Sequence, residues 1–181
     1  MSWNIRGLGR VEKIRVVRNL VSIHRPTFLF IQESKLNSFN SKVFSSIGGS
    51  WLFRGMGVAS VGATGGLISM WNDELFVVKA CITNNCCIII AGELVKLDKN
   101  VVFCNVYAPN IKSKRVKLWE FILRSQYSFD IPLCIGCDFN TVLCEMERRG
   151  CECNQVSVRN FNTFMLQKNV VNIPSLRNVF T

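Results

Sequence analysis

Residues 132–140, PLCIGCDFN, carry an apolar run that ends abruptly in two polar side chains, and no other stretch constrains the chain as much. Ile131, Leu133 and Ile135 recur at period two, the pattern of a strand. Asp138 and Asn140 then follow at its carboxyl end. Residues two apart on an extended chain point to one side, so the carboxylate and the amide can converge on one pocket while Phe139 packs the opposite way. Taken alone, the stretch is either a strand closed by an ordinary Asp/Asn turn or a strand end that holds a phosphate and a metal.

Other strand ends repeat the arrangement. Residues 27–32 form a short apolar run between Pro26 and polar residues, which predicts a strand buried on both faces and ending at Glu33. A carboxylate so placed is costly unless it meets a cation or water. Residues 2–5 end a first strand at Asn4, and the pattern over 11–23 predicts a helix with Ile14, Val17, Leu20 and Val21 on its buried face, stopped by Pro26. Val101, Phe103, Asn105 and Tyr107 share one face of a central strand and Val102, Cys104 and Val106 the other, with Ala108, Pro109 and Asn110 turning the chain. Polar groups gathered at several strand ends suit a hard cation such as Mg²⁺ and point to metal-assisted phosphodiester hydrolysis.

The connecting chain reads as follows. Leu36, Phe39, Val43 and Ile47 suggest a short helix and residues 51–53 a strand. Residues 55–66, rich in glycine, read as a loop without the Lys-Ser/Thr ending of a nucleotide-binding P-loop. Strands at 65–71, 75–83, 86–95 and 101–107 are expected to form one antiparallel block. Lys112, Lys114, Arg115 and Lys117 open a helix whose apolar side is Leu118, Trp119, Phe121 and Ile122; they are either a solvated face or contacts to phosphates. A polar loop at 145–154, a helix carrying Val158, Phe161, Phe164 and Met165, and short strands at 170–173 and 178–180 complete the chain.

Composition narrows the class. The chain has 181 residues, enough for one full core, and 22 Lys+Arg against 12 Asp+Glu give a net charge of +10, which favours a polyanionic partner. Its longest apolar run, at about 86–92, is far short of the roughly 20 residues that span a bilayer. Nine cysteines scattered through apolar runs fit a reducing compartment. Cys134 and Cys137 fall on opposite faces of a strand, and Cys144, Cys151 and Cys153 have no histidine beside them, so a zinc site is not expected. His24, the single histidine, is expected on the surface at a helix end.

Four segments taken in order resemble the endonuclease/exonuclease/phosphatase superfamily: residues 3–7 (WNIRG), 31–35 (IQESK), 105–110 (NVYAPN) and 136–140 (GCDFN). With Gly65, Gly66 and Leu67 leading into Trp71, the chain is most similar to the apurinic-like endonuclease domain of plant LINE-type retrotransposons. The resemblance implies an α/β (α+β) four-layer sandwich, two mixed β-sheets flanked by helices, formed by residues 1–181 as one domain and incomplete at the C-terminus. It also implies Asn4 and Glu33 at a Mg²⁺ (or Mn²⁺) ion, and Tyr107 and Asn110 on the scissile phosphate. Asp138 would align or activate the nucleophile, and Asn140 would orient it and bind phosphate. Lys112, Lys114, Arg115 and Lys117 would contact the substrate backbone. Cys137 stands where such elements have glycine, on the side away from Asp138.

Family members continue past the equivalent of Phe180 and Thr181 to a further acidic ligand and a Ser-Asp-His motif, which this sequence lacks. The expectation is therefore a monomeric, intracellular (nuclear or cytoplasmic) protein with DNA, or alternatively RNA, as partner and no membrane, whose hydrolysis is impaired. Two alternatives stay open: a non-catalytic basic nucleic-acid-binding relic, and a phosphatase of the same fold acting on a small phosphorylated substrate.

Overall fold

Period-two alternation sorts the strand residues into three apolar layers, and these layers define the architecture. The structure is a computed structural model and describes residues 1–52, 54–62, 64–127, 131–144, 155–167, 170, 171 and 173. One sheet contains β1 (Ser2–Asn4), β2 (Phe28–Gln32), β4 (Thr64–Trp71) and β3 (Arg54–Val61), in that order. The other contains β5 (Phe76–Asn84), β6 (Cys87–Leu94), β7 (Lys99–Tyr107) and β8 (Leu133–Asp138). Both are mixed: β1 runs parallel to β2 and β7 to β8, and the remaining pairs are antiparallel.

Phe28, Phe30, Leu67, Trp71, Phe76, Ile88, Ile90 and Val101 face inward and form the core between the sheets. Phe28 lies within ring contact of Phe30, Trp71, Phe76 and Phe103, so truncating it to alanine is expected to cost about 3–5 kcal/mol. Alternate residues of the same strands face outward. Leu29, Ile31, Ile68 and Met70 pack under α1 (Val11–His24) and α2 (Ser41–Gly48). Cys87, Ile89, Val102, Cys104 and Val106 pack under α3 (Lys112–Tyr127) and α4 (Gln155–Gln167). The result is the expected four-layer sandwich of two mixed sheets flanked by helices.

Several elements differ from the sequence expectation. Residues 55–66 are not a loop: β3 spans Arg54–Val61 and pairs with β4 along its length. Its glycines are sites of close approach, because a Cβ on Gly55 would run into the Phe44 ring and one on Gly57 into the Phe39 ring. Leu36 and Phe39 precede α2, which starts only at Ser41, where the Asn40 side chain accepts from the Val43 N–H at 3.0 Å. Trp51 and Leu52 form a turn rather than a strand, and Phe53 lies outside the described residues.

The block of four antiparallel strands is divided between the sheets. β4 joins the first, and the chain crosses to β5 through a turn in which the buried Asn72 donates to Trp51 O and accepts from Glu74 N. Val170, Val171 and Ile173 belong to no strand, and Val170 N–H donates instead to Met165 O. The loop at 145–154 and the strand at 178–180 lie outside the described residues.

Candidate active site

The two parallel strand pairs, β1 with β2 and β7 with β8, form facing edges of the two sheets, and their carboxyl ends come together. Carboxyl ends of parallel strands are where α/β folds place ligands, because chain reversals open a crevice there. In register, Asn4 stands beside Gln32 and Tyr107 beside Asp138. The side chain of Asn4 closes the gap between the sheets. Its Nδ2 donates to Glu33 Oε1 at 2.8 Å and to Asp138 Oδ2 at 2.6 Å. One amide therefore holds two half-buried carboxylates that are 105 positions apart in the sequence.

Two of these strand ends use the same turn. Arg6 N–H donates to Asn4 Oδ1 at 3.2 Å and Asn140 N–H donates to Asp138 Oδ1 at 3.0 Å, each an Asx turn closing on a residue with positive φ, 50° at Arg6 and 49° at Asn140. Glu33 and Lys35 are also left-handed, at 52° and 57°. Asparagine tolerates this region, but for arginine, glutamate and lysine it stores about 1–2 kcal/mol each, and such strain concentrates at functional sites. Main-chain bonds hold the strained turn, from Ser34 N to Gly66 O at 2.9 Å and from Lys35 N to Gly65 O at 3.1 Å. Gly66, at φ 83°, admits this contact because a Cβ there would meet Ser34 Oγ at 2.5 Å.

Tyr107 completes the group. Its phenol lies close enough to Glu33 and Asp138 to feel their charge, and the Asn140 amide donates to Ala108 O at 2.5 Å. Burial, and after it the negative charges of Glu33 and Asp138, push the phenol above its ordinary value, so Tyr107 stays a neutral donor at neutral pH. Phe139 packs the other way, against Phe161 and Phe164. Asp138 and Asn140 thus converge as the alternation predicts, although the strand stops at Asp138 and an Asx turn, not extended chain, brings Asn140 round.

Asn4, Glu33, Tyr107, Asp138 and Asn140 meet at one point, whereas the remaining candidates lie on the turn after β7 and on α3. Asn110 is exposed on the turn after β7. Lys114 and Lys117 are exposed and Lys112 half-exposed on the first turns of α3. Arg115, expected beside them on phosphates, points inward instead. It is buried and donates to Pro109 O at 3.3 Å, Asn110 O at 2.8 Å and Ser157 Oγ at 3.2 Å, tying the turn after β7 to α4. His24 is exposed at the end of α1.

Glu33 and Asp138 supply hard oxygen donors, and Mg²⁺ characteristically takes one or two carboxylates and fills its shell with water and substrate phosphate. That donor set fits these residues. Among the described residues no group of three or more His, Cys, Asp and Glu side chains gathers anywhere, and no helix is long and apolar enough to cross a membrane.

Three solved structures share this architecture. The AP endonuclease LMAP from Leishmania major superposes with a TM-score of 0.67 at 14% identity, covering 92% of this chain and 65% of that one. An AP endonuclease from Archaeoglobus fulgidus gives 0.65 at 14% identity, covering 91% and 68%. The human Nocturnin catalytic domain gives 0.60 at 14% identity, covering 80% and 64%. The fold is that of the endonuclease/exonuclease/phosphatase proteins. The chain spans about two thirds of the length of these three structures. No protein-family model matches the sequence, and no curated protein does.

Three further residues of this neighbourhood, Arg6, Gln32 and Lys35, carry no role in the sequence pattern, and Asn105 is marked there only as a polar group near a strand end. Arg6 and Lys35 are exposed cations two positions after Asn4 and Glu33. Gln32 and Asn105 are fully buried beneath the site, and their polarity in otherwise apolar strands marks them.

Proposed function

We propose that this chain is a divalent-metal-assisted phosphodiesterase acting on nucleic acid, an apurinic-like endonuclease domain of plant LINE-type retrotransposon origin. The observation that carries the reading is the Asn4 amide shared by Glu33 and Asp138, which sets two carboxylates and a neutral phenol at one point between the sheets. Asn4 and Glu33 would hold Mg²⁺ or Mn²⁺, with Asp138 alongside. When bound there, such an ion would supply Lewis-acid polarisation of the phosphate and charge stabilisation at the leaving oxygen.

The remaining work falls to the chain's own groups. Asp138 Oδ accepts the proton of the attacking water, and its Asx turn fixes the carboxylate orientation. Tyr107 and the Asn140 amide donate to non-bridging phosphate oxygens, where negative charge grows in the transition state. Asn110 and Lys112, Lys114 and Lys117 hold the flanking backbone, and the +10 charge draws a polyanion to the mouth. Proton transfer in this reading falls to Asp138.

Calorimetric titration with Mn²⁺ tests the reading. One site is expected in the wild type and none in Glu33→Ala or Asp138→Ala, with far-UV circular dichroism unchanged. Nicking of supercoiled plasmid should require Mg²⁺ and vanish in both variants. Equal Mn²⁺ binding by wild type and variants sinks the assignment. A non-catalytic nucleic-acid binder is favoured by one observation, that the Asn4 amide already satisfies both carboxylates; it predicts DNA binding indifferent to EDTA and to Glu33→Ala.

A further inference from the structure

Three polar side chains lie in the core between the sheets, directly beneath the site. Gln32, Ser69 and Asn105 are fully buried, and Ser2, exposed on β1, bonds to Gln32 from the edge. Asn105 Oδ1 accepts from Gln32 Nε2 at 2.7 Å, and the same Nε2 donates to Ser2 Oγ at 3.2 Å. Asn105 Nδ2 crosses from β7 into the opposite sheet and donates to Ile68 O at 2.8 Å, Ile31 O at 3.3 Å and Ser69 Oγ at 3.3 Å. Ile31 and Ile68 are register partners, so the Asn105 amide plugs into the β2–β4 ladder. Four strands of two sheets are joined through one pair of side-chain amides.

This connection is an expensive way to fill a core. The surrounding inward-facing residues are aromatic and aliphatic, and apolar side chains here would pack without desolvating an amide. Gln32 Oε1 is buried with no hydrogen-bond partner, so even the completed network leaves an acceptor unsatisfied. Its place in the sequence suggests what it accomplishes. Ser2 lies two residues before Asn4, Gln32 one before Glu33, and Asn105 two before Tyr107 on the same strand face. Each joined residue is thus within one pleat repeat, about 7 Å, of a site residue. Apolar contacts between sheets are non-directional and permit sliding, whereas a hydrogen-bonded amide pair permits one register.

We infer that Gln32 and Asn105 are positioning residues that lock the two sheets in the one register at which the Asn4 amide reaches both Glu33 and Asp138. The functional part of this inference rests on the metal-phosphodiesterase reading, and the positional part does not. Neither residue touches the reacting groups; they act through the strand ends they fix.

The test replaces both partners by apolar side chains of similar size, Gln32→Leu with Asn105→Leu, and separately removes one donor with Gln32→Met. The Asn4 side-chain amide is followed by ¹⁵N NMR, assigned by its loss in Asn4→Ser, and Mn²⁺ affinity by calorimetry. Both variants should stay folded, the double variant with an unfolding midpoint somewhat below that of the wild type, since Gln32 and Asn105 leave no orphan in each other but Ile31 O, Ile68 O and Ser69 Oγ lose a donor. The Asn4 amide should lose its protection from exchange and move to free-amide shifts. The Mn²⁺ dissociation constant should rise at least tenfold, as for other groups that orient metal ligands. A folded variant with unaltered Asn4 amide signals overturns the proposal, and so does failure of both variants to fold, which would make the pair a stability element. Absence of Mn²⁺ binding by the wild type defeats the metal reading alone, because the Asn4 signals still decide whether the pair sets register.

Discussion

Replacing Asn4 by alanine removes the one group that lies between two carboxylates. The lost interactions are charge-assisted hydrogen bonds of 2.8 and 2.6 Å, each worth about 1.5–3 kcal/mol when fully buried. Glu33 and Asp138 are half-buried, so water recovers part of this and about 1 kcal/mol per bond remains. Two unit charges about 4 Å apart repel by about 4 kcal/mol at an effective dielectric of 20 and about 1 in bulk water. The amide now offsets that repulsion. Asn4→Ala should therefore cost about 2 kcal/mol at pH 7 in EDTA, a fall in unfolding midpoint of about 4–8 °C for a chain of this length. The signature lies in the coupling. In an Asp138→Asn background one charge is gone, so the same substitution should cost only about 1 kcal/mol, a non-additivity of about 1 kcal/mol measurable by urea unfolding of the four proteins. A cost below about 0.5 kcal/mol, or strict additivity, would show that the amide does not bridge the carboxylates and would remove the basis of the site.

Other outcomes follow from single features. In a Tyr127→Phe background, phenolate absorbance should show Tyr107 titrating above its ordinary value and moving down, though not fully, in Glu33→Gln with Asp138→Asn, because burial is the largest cause. The fold favours the neutral phenol. Its contribution to stability is therefore complete below the unfolded value near 10 and is lost as pH rises through the higher folded value, and Tyr107→Phe should lack this alkaline loss. Replacing Lys112, Lys114 and Lys117 by serine should weaken DNA binding and flatten its salt dependence by up to about 0.9 in log–log slope per phosphate contact removed. Arg115→Ser should instead lower stability by about 2–5 kcal/mol, since it breaks buried charged hydrogen bonds; an unchanged unfolding midpoint would refute its inward role. Gly57→Ala should cost about 1–3 kcal/mol by forcing the Phe39 ring aside, and Phe39→Leu in the same chain should relieve it.

Much of the architecture was legible locally, because burial on a sheet imposes period two and burial of a helix face imposes 3.6. β2, β7, β8, α1, α3 and α4 follow their patterns for this reason. β3 did not, since glycine in a strand reads as a break, and only the rings of Phe39 and Phe44 lying over Gly55 and Gly57 explain why glycine is required there. The antiparallel block failed for a related reason. Strands adjacent in sequence usually pair, and nothing local in residues 72–75 announces that the chain changes sheets there.

The amino-acid pattern alone marks which strands end in polar groups. Asn4, Glu33, Tyr107, Asp138 and Asn140 stand out because polar groups that close apolar runs are costly without a purpose. How they meet is set by the packing of the two sheets. The Asn4 amide joins partners from separate sheets, and Arg115 leaves its basic run to hold a turn. Gln32 and Asn105 find each other 73 positions apart in a core that periodicity assigns to apolar side chains. Hydrogen bonds of this kind depend on the relative position of two sheets, a quantity that no local pattern in the chain encodes.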